Sequence, residues 1–135
     1  MWSSDCPPPT HSVPPAVGGK VAATFGAPAF RRYHLALLHA YFAEHRTISD
    51  RDVLVAVAGE TGLPAADFDD RLVARGNDLA REVLTEHVEA IESGIHAVPA
   101  VVANGRYLVT GAVELDDYRR LITRLQADEP GATGP

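Results

Sequence analysis

Residues 94–125 read GIHAVPAVVANGRYLVTGAVELDDYRRLITRL, and this stretch decides the fold. Residues 98–103 are an apolar run of strand type, Asn104-Gly105 is the signal for a two-residue type I′ turn, and residues 106–110 return as a second strand. The stretch therefore predicts a β-hairpin. Two strands alone do not make a stable sheet, so the hairpin must pack on helices or pair with strands supplied elsewhere.

A terminal helix follows the hairpin after Gly111-Ala112. Its apolar residues recur at helical spacing and predict a buried stripe. The stripe consists of Leu115, Tyr118, Leu121, Ile122 and Leu125.

Helical periodicity also dominates the chain before the hairpin. It predicts helices over about 14–25, 28–45, 50–60, 65–75 and 78–93. Ser49 is the expected N-cap of the third helix. Gly76 is expected to close the fourth helix and Asn77 to cap the fifth, which ends at Gly94.

The helix over 28–45 is expected to be the best buried of these. Spacings of three, four and seven residues place its large apolar side chains on one face. These are Phe30, Leu37, Leu38, Tyr41 and Phe42.

Two segments resemble a known family. The loop before the hairpin has the pattern Gly-h-x-x-h-Pro, where h is an apolar residue, at Gly94, Ile95, Val98 and Pro99. The Asn-Gly turn, the Gly-Ala pair and an acidic helix start follow it. Together these features resemble the closing unit of DsbA-like thioredoxin-fold proteins. The run AFRRYHLALLHAYFAEHRTISDRDVLVAVAGETGLPAADF, residues 29–68, resembles the helical insertion of the FrnE-like subgroup. The resemblance covers about residues 12–126.

The resemblance implies a partial α/β thioredoxin-like fold that corresponds to the C-terminal portion of the family. The domain would span 13–126, with a helical insertion over 13–93 and a β-β-α unit over 95–126. Residues 1–12, rich in proline, and residues 127–135 are expected to be disordered tails. The family's N-terminal strand-helix-strand unit, with its Cys-x-x-Cys pair, has no counterpart in this sequence.

The resemblance also implies where a substrate would bind. In the family, the proline of the Val-Pro pair is cis and lies beside the redox cysteines, and the backbone before it pairs with an extended substrate. Carried over, Val98 and Pro99 would position the substrate, with Ala97 and His96 as neighbours in the loop. Taken by itself, the sequence equally allows a trans proline that begins an edge strand.

The single cysteine, Cys6, excludes an intrachain disulfide. Pro7 stands where a resolving cysteine would lie, and the prolines that follow cannot begin the required helix. Cys6 is therefore read as a free thiol in a flexible tail, with a one-cysteine redox or glutathione-linked role as the alternative. No catalytic residue is assigned within this sequence.

Three functions remain open from the sequence. The first is a thiol–disulfide oxidoreductase of the DsbA family that is truncated, lacks its cysteine pair and is inactive alone. Its substrate would be a protein thiol or disulfide, or a small thiol. The second is a binding or assembly module that uses the exposed hairpin edge, as a homodimer or with a missing N-terminal half. The third is a relative of the glutathione-dependent chromene-carboxylate isomerases, whose serine would lie in the absent portion.

The composition and charge of the chain argue against several classes of partner. The net charge is −6 and the basic residues are scattered, which argues against nucleic acid. No signal peptide or membrane-spanning run is visible, which predicts a cytoplasmic protein with no membrane partner. The six histidines have no metal-binding spacing, so neither a metal nor another cofactor is expected.

Overall fold

The structure is a computed structural model, and it describes residues 11–128. The described residues divide into two compact units, one that ends at His87 and one that begins at Val88. Its elements are α1 (Val13–Ala23), α2 (Ala27–Phe42), α3 (Arg51–Glu60), α4 (Ala65–Glu92), β1 (Ala100–Ala103), β2 (Tyr107–Thr110) and α5 (Leu115–Asp128). Cys6 and most of both expected tails lie outside the described residues, although α5 continues through 127 and 128.

Short-range signals set the starts of the first three helices. α1 and α2 each carry proline in the first turn, where the missing N–H costs no helical hydrogen bond. The N-cap of α3 is Asp50, whose carboxylate accepts a hydrogen bond from the Asp52 amide at 3.0 Å. The prediction of Ser49 as the cap was wrong by one residue, because Asp50 also offers a carboxylate to the positive end of the helix.

A single long helix, α4, replaces the two helices that were predicted on either side of Gly76. A glycine inside a helix costs only about 0.5–1 kcal/mol relative to alanine. Phe68 and Leu79, one on each side of Gly76, are both buried. Their burial holds the helix continuous, so the predicted break and the Asn77 cap are both wrong.

Tyr33 and Phe68 form the centre of the first unit. Both side chains are fully buried, with ring centroids 5.2 Å apart. The Tyr33 hydroxyl donates a hydrogen bond to the Leu54 carbonyl oxygen at 3.5 Å. α1 comes very close to this ring, since a Cβ built on Gly18 would lie 2.6 Å from the Tyr33 Oη. Glycine therefore sets the distance between α1 and α2.

The buried face of α2 differs from the predicted one. It consists of Ala29, Tyr33, Leu37 and Ala40, whereas Phe30, Leu38 and Phe42 are exposed. Small residues on the buried face allow α1 and α3 to pack closely against α2. The spacing identified the helix and the buried Leu37 correctly, but it was wrong for Phe30, Leu38 and Phe42. Large side chains outweigh small ones in a pattern of apolar positions, so the spacing missed Ala29 and Ala40.

The hairpin of the second unit is antiparallel, with Ala103 opposite Tyr107 and Ala100 opposite Thr110. Its loop therefore has three residues rather than the predicted two. Asn104 and Gly105 both have positive φ, at 50° and 65°, as a type I′ turn requires, and Arg106 follows as an extra residue. This register brings the Tyr107 ring beneath the Arg124 guanidinium of α5, at 5.3 Å.

The predicted buried stripe of α5 is only partly covered. Leu115 and Ile122 are 62% and 54% exposed, while Tyr118, Leu121 and Leu125 are half-buried. Of the described residues from 88 to 127, none falls in the buried class. The amphipathic pattern of α5 is thus present, but the second unit does not cover its apolar side.

Candidate functional site

The candidate site begins where α4 ends. The Gly94 amide donates to the Ile91 carbonyl and the Ile95 amide to the Ala90 carbonyl, both at 2.9 Å. These two bonds form a Schellman motif, which requires a left-handed residue just past the helix. Gly94 meets that requirement with φ of 88°. The chain therefore leaves α4 in a fixed direction toward the loop.

The four predicted site residues lie together in this loop. His96, Ala97, Val98 and Pro99 are all exposed, and the Val98 side chain is 87% exposed. The Val98-Pro99 peptide bond is cis, the isomer that the family resemblance implies. Within residues 11–128, the Val98 backbone has no hydrogen-bond partner.

One backbone hydrogen bond fastens the loop to the hairpin. The Gly111 amide donates to the Pro99 carbonyl oxygen at 2.7 Å, which continues the pairing of the two strands by one step beyond β1. Gly111 has φ of 81°, so a residue with a side chain would be strained there. The hydrogen bond consequently fixes Pro99. The backbone N–H and C=O of Val98, the residue directly before it, are unpaired within residues 11–128.

Gly111 and Leu108 are the supporting residues that the sequence reasoning did not assign to the site. A Cβ at Gly94 would lie 3.7 Å from the Leu108 Cδ2, so β2 contacts the beginning of the loop. The sequence did contain a signal, since Gly111 directly follows a strand and a glycine at such a place indicates an unusual backbone conformation.

The loop presents backbone and apolar surface, with one imidazole at His96. Among the described residues, no three His, Cys, Asp or Glu side chains are arranged to hold a metal ion. In the same part of the chain, every helix is too short or too polar to cross a bilayer. What the loop can do chemically is pair its exposed backbone with an extended polypeptide.

A family model for the DSBA-like thioredoxin domain matches residues 19–123. The chain belongs to this family. The match includes the helical segments, the loop and the hairpin, and it agrees with a partial α/β thioredoxin-like fold. The DsbA-like family is one of thiol–disulfide oxidoreductase type.

One curated relative is the uncharacterized protein YwbO of Bacillus subtilis (strain 168). It is 33% identical to this DsbA-like chain over 92 residues. The matched segment makes up 67% of this chain and 44% of YwbO. The chain thus spans less than half the length of that relative.

Proposed function

We propose that this chain is a DsbA-like relative of thiol–disulfide oxidoreductases that binds an extended polypeptide at residues 95–99 but cannot complete dithiol exchange by itself. The observation that carries the proposal is the exposed, unpaired backbone of Val98, held beside β1 by the Gly111–Pro99 hydrogen bond. The helical run at 29–68 supports assignment to the FrnE-like branch, and the chain would correspond to the C-terminal part of such a protein.

The chemistry of thiol–disulfide exchange explains why this chain would bind a substrate but not complete the reaction. A thiolate attacks a disulfide sulfur and forms a mixed disulfide, and a second thiolate must then resolve it. These 135 residues contain one cysteine, Cys6. This polypeptide would accordingly position a protein thiol or disulfide, or a small thiol, while the attacking and resolving sulfurs would belong to polypeptide outside these residues.

The loop geometry favours an extended substrate. Pro99 already gives its carbonyl oxygen to Gly111, and proline has no N–H to donate. Val98 offers both an N–H and a C=O, which a strand-like peptide pairs with directly. Its exposed side chain adds apolar contact area without a charge that would select one peptide sequence.

A binding experiment tests this role. Reduced, alkylated insulin B chain serves as an extended peptide probe, and backbone amide chemical shifts of the ¹⁵N-labelled chain are followed by NMR. We expect shifts centred on residues 95–101 and at least roughly fivefold weaker binding by Val98→Asp, because a carboxylate disfavours apolar contact. Val73→Asp is the matched control, since Val73 is 64% exposed in the first unit. Equal binding by both variants would contradict the proposal.

A catalytic assay tests the proposal that the chain cannot complete dithiol exchange by itself. Insulin reduction by dithiothreitol is followed as turbidity with the intact chain and with Cys6→Ala. We expect both to match the rate without protein, because no cysteine pair is present. Turnover by the intact chain that disappears in Cys6→Ala would show a one-cysteine activity and contradict the non-catalytic assignment.

The exposed hairpin favours a second candidate function, an assembly module. Among the described residues, β1 pairs only with β2. Val101 and Val102 are 39% and 51% exposed on opposite faces of β1, and β1 carries no charged residue or proline that would protect an edge. A strand from a second copy, or from an N-terminal half on another polypeptide, would extend the sheet at β1.

Sedimentation velocity distinguishes the two candidates. The module predicts concentration-dependent dimers that Val102→Lys abolishes, because a charged edge residue opposes strand addition. Leu84→Lys is the control, since Leu84 is also 51% exposed but lies in α4. A monomer at every concentration, with no complex formed by an added N-terminal half of YwbO, would exclude the assembly module and leave the peptide-binding proposal standing.

A further inference from the structure

A cavity of about 510 Å³ lies in the first unit, away from the 95–99 loop in sequence. It is bounded by α1, α2 and α4. Small-molecule sites in proteins commonly have volumes of roughly 300–1,000 Å³ and mostly apolar walls with a few polar groups. This cavity has that size and that character.

The sequence of α1 creates the space. Ala16, Gly19 and Ala23 lie one turn apart on the cavity side of the helix, and they face Phe30 and His34 of α2. A Cβ at Gly19 would lie 3.6 Å from Phe30 Cε2, so any larger side chain there would enter the cavity. The cavity therefore results from small residues opposite large ones.

One wall is aromatic and flat. The Phe30 and His34 rings are stacked, with centroids 5.6 Å apart and an angle of 22° between their planes. Phe30 is 38% exposed, so its face is accessible. Aromatic faces attract apolar groups and also cations.

The charged side chains at the cavity are Lys20 and Glu86, which line it, and Glu82, which lies beside it and contacts Lys20. The Lys20 ammonium contacts Glu86 Oε1 at 2.6 Å and Glu82 Oε2 at 3.5 Å. One cation thus faces two carboxylates. The hydrogen bond that Lys20 donates to Glu86 raises the pKa of Lys20, which keeps the ammonium charged and paired. An anionic ligand would have to compete with both glutamates, whereas a cationic ligand would meet the carboxylate charge that Lys20 does not neutralise.

We propose that this cavity binds a small aromatic or apolar organic cation, with its apolar body between α1 and the Phe30–His34 wall and its charge near Glu82 and Glu86. All of the residues that line it belong to the first unit.

Three probes that share a benzyl group and differ in charge test the charge preference: benzyltrimethylammonium, benzyl alcohol and phenylacetate. Binding to the full chain is measured by NMR titration of the α1 and α2 amides. We expect benzyltrimethylammonium to bind roughly fivefold more tightly than benzyl alcohol and phenylacetate to bind most weakly. Shifts confined to other parts of the chain, or equal affinity for all three probes, would overturn the proposal.

Two pairs of variants locate the site. The double variant Glu82→Gln/Glu86→Gln leaves Lys20 without its two carboxylate partners, so the cavity should then bind phenylacetate most tightly. The control double variant Glu89→Gln/Glu92→Gln, on the same helix, should leave the order of the three affinities unchanged. Ala16→Phe fills the cavity from an exposed position and should weaken all three probes at least roughly tenfold, whereas Ala66→Phe should not. Circular dichroism verifies folding, and a folded Ala16→Phe variant with unchanged binding would overturn the site.

Discussion

The two units of this chain use the same kind of apolar pattern with different results. In the first unit, α1, α2, α3 and α4 enclose Tyr33, Leu54 and Phe68, each at most 2% exposed. In the second unit, α5 is clearly amphipathic, yet Leu115 and Ile122 remain more than half exposed. Periodicity marks the side of an element that is suited to burial, but burial itself requires a partner of matching shape.

The difference also separates the two proposed roles. A unit with its own core can hold a cavity, such as the one between α1, α2 and α4. A hairpin that pairs with no further strand within residues 11–128, next to a loop of exposed backbone, is suited to pairing with another polypeptide. We therefore assign the small-molecule site to the first unit and polypeptide binding to the second.

The largest expected effect is the loss of the Phe68 ring from the core of the first unit. Phe68→Ala should lower the free energy of unfolding by about 3–5 kcal/mol, because it removes a fully buried aromatic side chain and leaves a cavity. Ile122→Ala, at a 54% exposed position, should change it by less than about 0.5 kcal/mol. Urea denaturation followed by far-ultraviolet circular dichroism measures both. Similar losses for the two variants would remove the distinction between the units.

A smaller loss is expected where α1 meets Tyr33. Gly18→Ala would place a methyl group 2.6 Å from the Tyr33 Oη, and the buried ring has little room to move. Overpacking of this kind costs roughly 1–3 kcal/mol. The free energy of unfolding again gives the measurement, with Gly18→Ala in a Tyr33→Phe background as the control. The loss should shrink in that background, and an unchanged loss would place its origin elsewhere.

Stability should also depend on high pH through Tyr33. Burial raises the pKa of its hydroxyl, so the folded protein keeps this proton at pH values at which an unfolded tyrosine, with a pKa near 10, loses it. The contribution is complete below about pH 10 and declines above it by about 1.4 kcal/mol per pH unit. Urea denaturation at pH 9.5 and 10.5 should show a steeper decline for the native chain than for Tyr33→Phe. Equal slopes would contradict this account of the core.

The smallest expected effect is an increase in the free energy of unfolding. Gly76 lies inside α4, and a Cβ there would meet no atom within 4 Å. Gly76→Ala should therefore raise the free energy of unfolding by about 0.5–1 kcal/mol through helix propensity. Thermal denaturation should show a higher midpoint. A lower midpoint would indicate that the flexibility of glycine is required in this helix.

The sequence predicted the order of elements well, because local signals define them. Proline in the first turns, the Asn104-Gly105 turn and Gly94 after α4 all behave as their local chemistry dictates. The four predicted site residues lie together in one exposed loop, and their role in binding substrate stays a prediction.

Long-range packing explains what the sequence did not predict. Burial of Phe68 and Leu79 keeps α4 continuous through Gly76. Contacts with Leu54 and Phe68 bury Tyr33 of α2 completely, whereas Phe30 stays partly exposed. Such outcomes depend on residues far apart in the chain, which a local pattern does not contain.

Hydrogen–deuterium exchange tests the central contrast most directly. Peptides from α2 and α3 should exchange slowly, since opening them requires exposure of the first core. Peptides from β1, β2 and α5 should exchange within seconds to minutes and should slow down when insulin B chain or a strand-donating partner is added. Protection of the free hairpin and α5 equal to that of α3 would contradict the proposal that the second unit pairs with another polypeptide.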